Sequence, residues 1–359
     1  MKKIYYITAV FATLFLVGCG DGIDLPGVNV ETDLNKIPLP DNNVNLEQVE
    51  LKPSTEPMLH EGLHTEEDFQ RIRDKKAAGE EPWISAYQLL VESQFSQKTA
   101  DTYPTEWIKR GVSGDENYMN AARGATIAYQ QALRWKIEQD DEYAAKAVEN
   151  LNKWVQTCVG VTGNTNLSLA AGLYGYEFAI AGELLRDYGG WDRADFAAFQ
   201  NWLLKVFYPA NDDFLKRHHD TNALHYWANW CLCNIAAKMA IGIVTDRRDI
   251  YNEGIAHLQT GDTNGRLRRA IYHDYAPDYN FAQWQESGRD QGHTLMCVGL
   301  MGIICQLAWS QGDDFFAYDD NLFLRACEYA ACCNYTNETV PYTTYIWQKQ
   351  SQWGYPIPE

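Results

Sequence analysis

From residue 65 onward, apolar residues recur at the 3.6-residue period of amphipathic helices, segment after segment. Thr65-Glu66-Glu67-Asp68 has the form of a capping box, and Phe69, Ile72 and Arg73 open a helix that stops near Gly79. A second helix is predicted from Trp83 to Gln94. Residues 118–138 (Tyr118, Ala122, Ala125, Tyr129, Ala132, Trp135) and 142–157 (Ala145, Val148, Leu151, Val155) form a pair divided by Asp140-Asp141. Further helices are predicted at 168–187, 194–207, 222–244, 248–258, 291–310 and 319–333, and strand-like alternation is nearly absent. Short connections between helices of this length predict antiparallel helical hairpins packed side by side, an all-α fold. The hairpins are too dissimilar for a consensus repeat array.

Composition sharpens this picture. Aromatic residues make up 13% of the chain, with 12 Trp and 22 Tyr. Any one of them reads as core packing. Together they predict an (α/α) toroid, or incomplete α/α barrel, whose wide aromatic cleft suits a sugar chain.

The N-terminus follows another pattern. Lys2 and Lys3 precede the apolar run 4–17, too short to span a bilayer, and Leu16-Val17-Gly18-Cys19 places small residues before a cysteine. Residues 1–19 therefore read as a lipoprotein signal peptide with Cys19 as the lipidation site. Residues 20–57, rich in Pro, Asn, Asp and Val without helical period, read as a flexible tether. Residues 58–359 form a single domain, since no internal linker interrupts them. The expected location is the cell envelope, on a periplasmic or outer-membrane surface, held to the membrane by acyl chains at Cys19. No other segment is expected to be long and apolar enough to cross a membrane.

A net charge of −18 disfavours nucleic acid as a partner, because such a surface repels phosphates. An anionic substrate then requires a local cluster of Arg and His. The nine cysteines contain no C-x-x-C spacing, and adjacent His218 and His219 with Asp220 make a poor ligand set, so neither metal nor cofactor is expected. Most of the cysteines read as small buried hydrophobes.

Four polar clusters interrupt the helices: Gly163-Asn164-Thr165-Asn166; Arg217 to Asn222 running into His225-Tyr226-Trp227-Ala228-Asn229-Trp230; Arg266 to His273; and "QWQESGRDQGHT" at 283–294. If residues 222–244 are one helix, Tyr226, Trp227 and Trp230 share a face beside His225. The last cluster admits two readings. It is a well-capped helix start, with Ser287 or Asp290 as cap, or it is a site where a carboxylate, a guanidinium and an imidazole converge.

The stretches "HTEEDFQRIRDKKAAGEEPW" (64–83), "HYWANWCLCNIAAKMAIGIVTDRRDIY" (225–251) and "QWQESGRDQGHT" (283–294) resemble the alginate lyase family of helical polysaccharide lyases, a similarity covering roughly residues 58–345. The resemblance implies an (α/α) toroid that cleaves uronic-acid polysaccharides, alginate or a related mannuronate or glucuronate chain, by β-elimination. Members of this family carry an Asn-His pair before a Tyr-Trp helix and then an Arg and a Tyr in a segment like R-A-L-x-Y-H. Here the corresponding residues are His225-Tyr226-Trp227 and Arg269-Ala270-Ile271-Tyr272-His273. The Asn-His dipeptide is absent, Asn222 precedes His225 by three, and the Arg-to-Tyr segment is one residue shorter. Relatives also continue into another hairpin and a Gly-rich tail, so either the toroid is open at this end or the sequence is C-terminally truncated.

A uronate C5 proton is weakly acidic while the neighbouring carboxylate is charged. A lyase must neutralise that carboxylate, take the proton, and protonate the departing oxygen. The resemblance assigns Asn166, His225, Tyr272 and Arg289 to this chemistry. Substrate contacts are expected from Asn222, Tyr226, Trp227, Trp230, Arg266, Arg269, Gln283, Glu286 and His293, with one of Arg266, Arg268 and Arg269 facing the cleft. A tyrosine base needs neighbouring Arg or His charge to lower its pKa. Competing readings are an (α/α)-barrel glycoside hydrolase using Asp220 and Glu286, and a non-catalytic surface glycan-binding lipoprotein.

Overall fold

The computed structural model describes residues 55–335 and 340–343. The lipoprotein signal, Cys19 and nearly all of the 20–57 tether lie outside the described residues.

The first helix, α1 (Glu66–Ala77), starts at the capping box: the Thr65 hydroxyl accepts the Asp68 N–H, and the Asp68 carboxylate accepts the Thr65 N–H at 3.0 Å. It is followed by α2 (Trp83–Glu92), α3 (Tyr118–Glu138), α4 (Asp141–Thr157), α5 (Leu167–Leu184), α6 (Arg193–Val206), α7 (Tyr208–Arg217), α8 (Ala228–Val244), α9 (Arg248–Thr260), the single turn α10 (Leu267–Ala270), α11 (Gln291–Ser310) and α12 (Tyr318–Tyr335). In chain order α3 packs on α5, α5 on α8, and α8 on α11; these form the inner row. Helices α4, α6, α7, α9 and α12 lie outside it. The arrangement is an incomplete (α/α) toroid. Every residue of α8 is buried, and α5 is apolar nearly all round, as helices enclosed on all sides must be. Close approach of these two requires Gly172, where a Cβ would come within 2.5 Å of the Cys233 sulfur.

Most predicted boundaries agree with these bounds to within a few residues. The exception is 222–244, which becomes helical only at Ala228. The preceding residues His218, His219 and Asp220 have φ of 48°, 52° and 60°, and Asn222 closes a turn by accepting the Leu224 N–H at 2.9 Å. Tyr226 and Trp227 are therefore not on a helical face with Trp230. Helix α7 was unpredicted: Pro209 in its first turn and a short apolar face (Asn211, Phe214 and Leu215 are its buried residues) give little periodic signal. Four short strands were also missed. Strands β1 (Trp107–Arg110) and β2 (Gly160–Gly163) pair in parallel, and β3 (Ile271–Asp274) and β4 (Ala282–Trp284) pair antiparallel. Three or four residues are too few for alternation to show.

Helix α11 is, by length and composition, apolar enough to cross a membrane, contrary to the expectation that nothing beyond the N-terminus would be. Here it packs against α8 and α12 as a core helix. Of the eight cysteines described, six are buried.

The N-terminal segment ties the C-terminal ends of the inner helices together. The Gln311 side chain, just past α11, accepts the Leu59 N–H at 2.9 Å and donates to the Glu61 carbonyl at 2.7 Å. His60 meets Asp246, beyond α8, at 3.0 Å. Gly62 lies against Glu183 of α5. The opposite, N-terminal ends of the same helices carry the polar clusters.

Candidate active site

At the start of α5, the parallel pair β1–β2 brings Arg110 beside Gly163. Gly163 has φ of 141° and lies so close that a Cβ would sit 1.7 Å from the Arg110 carbonyl oxygen, so only glycine fits. The following turn is held by Asn164, whose Oδ1 accepts from the Asn166 main-chain N–H (2.9 Å) and side-chain amide (3.0 Å). Asn166 is thereby fixed at the α5 N-terminus, with its Oδ1 buried and lacking a hydrogen-bond partner among the described residues. Two residues on, Ser168 Oγ lies 3.0 Å from His219 Nε2. Burial lowers the pKa of His219, and Thr165 bonds both this imidazole and Tyr226.

His218, His219 and Asp220 diverge. His218 turns inward, stacking on Phe214 and meeting the Cys231 sulfur at 3.5 Å; His219 reaches Ser168; Asp220 pairs with exposed Arg217. Among the described residues no group of three His, Cys, Asp or Glu could hold a metal.

His225 follows, half-buried, its ring edge-on to Tyr226 at 4.8 Å. Tyr226, Trp227 and Trp230 are 2%, 0% and 0% exposed, which corrects the expectation that they offer ring faces to a sugar. Tyr226 and Trp230 pack instead on Phe214 of the outer helix α7.

Residues 283–289 are enclosed as well. Helix α8 has no side-chain cap of its own; Gln285 Oε1 accepts the Ala228 N–H at 2.9 Å and Glu286 Oε1 accepts the Asn229 N–H at 3.0 Å. Burial raises the pKa of Glu286, and the charges of Arg289 and His293 oppose that shift. Arg289 lies 3.9 Å from Glu286, 3.8 Å from Asp290 and 5.9 Å from the centre of the Trp227 ring. Asp290 caps α11 through the His293 N–H and grips the His293 imidazole at 2.6 Å, while burial and this histidine compete over its pKa, with a net lowering. Gln283 accepts from Tyr275 and donates to Ser287 at 2.7 Å. Gln283 and Glu286 thus hold the interior together and present no surface to a ligand, another correction.

The remaining cluster narrows one open choice. Arg268 forms an ion pair with Asp319, at the start of α12, which leaves Arg266 and Arg269 as the half-buried cations before β3. Tyr272, on β3, is 2% exposed, and its hydroxyl donates to the Thr343 carbonyl. Asn222 is occupied locally by its turn.

Four segments far apart in sequence therefore meet at one end of the inner row. The family model for alginate lyase matches residues 73–338. The chain belongs to the alginate lyase family. Among solved structures, this alginate lyase family member is similar to alginate lyase A1-III from Sphingomonas species A1, at 12% identity over 77% of this chain and 79% of that one, with a TM-score of 0.54. A histidine-to-alanine variant of alginate lyase A1-III complexed with tetrasaccharide gives 13% identity over 78% and 82%, with a TM-score of 0.59. No curated protein sequence matches the chain. At these identities the structural likeness speaks for the toroid, and the family match makes the protein a polysaccharide lyase.

Sequence reasoning missed Gln285 as the cap of α8, although it lies inside the quoted stretch, and missed Asn264 altogether. A lone Asn in a Thr-Asn-Gly loop carries no signal until its partners are known.

Proposed function

We propose that this lyase acts on a uronic-acid polysaccharide, alginate or a related chain, at the N-terminal ends of α5 and α8, and that it is a lipoprotein held to the cell envelope through Cys19. The observation that carries the site is the hydrogen-bonded convergence of the 164–168, 218–230, 264–275 and 283–293 segments at that end. The tetrasaccharide complexes of alginate lyase A1-III support a saccharide ligand.

In this reading the Asn166 amide and the Arg266 or Arg269 guanidinium meet the uronate carboxylate and draw off its charge, which acidifies the C5 proton. His225 and Tyr272 move the protons: one accepts from C5 and the other protonates the departing glycosidic oxygen, leaving a C4–C5 double bond. The Tyr272 hydroxyl must exchange its bond to Thr343 for one to the sugar during this step. Arg289, enclosed between Glu286, Asp290 and Trp227, supports the α8 entry rather than reaching the substrate. A hydrolase pair is disfavoured, since Glu286 is fully enclosed while Asp220 is exposed and paired with Arg217.

The test is incubation of the purified protein with a panel of uronans, following ultraviolet absorbance of the conjugated product. Absorbance growing with new chain ends supports elimination. New reducing ends without absorbance would mean hydrolysis, and neither would leave only binding.

A further inference from the structure

Between α9 and α10, Thr263-Asn264-Gly265 forms a loop pinned on both sides. The Thr263 hydroxyl lies 2.7 Å from His257 Nε2 on α9 and accepts the Gly265 N–H at 3.2 Å. Gly265 sits against α8 so closely that a Cβ would be 2.4 Å from that of Cys231. Asn264, 3% exposed, is left with one orientation, and its Nδ2 donates to the Leu224 carbonyl at 3.1 Å and to the Tyr226 carbonyl at 2.8 Å. Those are the carbonyls on either side of His225.

Neither the α8 ladder nor the preceding turn uses the Tyr226 carbonyl in this way. Trp230 N–H turns to the Trp227 carbonyl at 3.1 Å, so the ladder begins after Tyr226. The His225 N–H is itself committed to the Asn222 carbonyl at 2.9 Å. Downstream, Gln285 and Glu286 hold the Ala228 and Asn229 N–H groups. The main chain around a half-buried histidine is thus anchored on both sides by enclosed polar side chains from elsewhere in the sequence. Such support from outside a reacting group keeps its geometry within the tolerance that proton transfer requires.

We infer that Asn264 is a positioning residue for His225, its amide bracketing the histidine by donating to the carbonyls of Leu224 and Tyr226. The inference rests on the reading that His225 takes part in proton transfer. Asn264 reaches no substrate; its effect on turnover passes through the imidazole.

The decisive experiment is a double-mutant cycle on the full chain with a uronan that the unmodified enzyme cleaves. Asn264→Ala should lower kcat about tenfold while KM stays within about twofold, and in a His225→Ala background the same change should cost less than about twofold, since groups that act through one another are not additive. Gln311→Leu serves as a structural control, because it removes buried bonds at the opposite end of the toroid. It should lower the melting temperature without that kcat loss. If Asn264→Ala does not fold, Asn264→Ser, which keeps one donor, should give a smaller kcat loss with the same dependence on His225. An equal loss from the Asn264 variant in both backgrounds, or no loss in either, overturns the inference while leaving the lyase reading intact. A His225→Ala enzyme with unchanged turnover overturns the role of His225 and the inference with it.

Discussion

The Glu286 carboxylate accepts the main-chain N–H of Asn229 at 3.0 Å, joining residues 57 apart in sequence, and this bond puts a fully enclosed acid on the first turn of an inner helix. With Gln285 on Ala228 and Asp290 on His293, one short stretch caps both α8 and α11. Of the two readings of "QWQESGRDQGHT", these bonds are those of the helix start, and they also fasten the neighbouring helix that the site histidine leads into.

Breaking that link should be costly. Glu286→Leu strands the Asn229 N–H and leaves enclosed Arg289 without this partner, so the fold should lose about 3–5 kcal/mol. Glu286→Gln keeps the acceptor and should lose about 1 kcal/mol. Arg289→Lys should also melt earlier, because an ammonium cannot reproduce the planar fork. Thermal melts of the three variants check this; a lysine variant that melts normally yet loses turnover would show Arg289 at the substrate instead.

Tyr272→Phe and His225→Ala should each lower kcat by about 10²-fold or more with the fold retained, the usual scale of a lost proton-transfer group. Turnover on a uronan and circular dichroism measured side by side separate chemistry from folding. Unchanged turnover removes that residue from the mechanism.

Glu177, on α5 near Tyr129 and Tyr176, should make stability pH-dependent. Burial raises its carboxyl pKa from 4.5 to about 8, so the folded chain keeps a proton that the unfolded chain releases. Stability should therefore fall as pH rises between those values. Its side chain remains partly open to solvent, which reduces the effect, and Glu177→Gln should gain about 1 kcal/mol at pH near 8 and nothing below the unfolded value. Melts of both proteins across that range would show the two curves converging towards acid; parallel curves would rule the carboxyl out.

Cys19→Ala should release the protein from the membrane fraction into the soluble one, as expected if acyl chains are its attachment. Persistence in the membrane fraction after alkaline washing would refute the lipid anchor.

Helical class and most helix bounds were legible in the sequence because they follow from local rules, whereas the toroid was expected from aromatic content and the family resemblance. The Thr65–Asp68 capping box, the Asp140 cap accepting from Glu142 N–H, and the apolar period of α3 and α4 each depend on residues within a few turns. The late start of α8 was not legible, because the positive φ at His218, His219 and Asp220 goes with side-chain contacts, His218 stacking on Phe214 and His219 meeting the distant Ser168. The site divides in the same way. The polar clusters, read with the family resemblance, pointed to His225, Tyr272 and the Arg266–Arg269 run as chemistry-bearing. Only the tertiary structure decided that Arg268 belongs to Asp319, that Tyr226, Trp227 and Trp230 face inward, and that Asn264, Gln285 and Glu286 hold the main chain around His225. A side chain's partner across a toroid is set by how the helices pack, and hydrogen bonds between residues 38 or 57 positions apart leave no periodic trace in the chain.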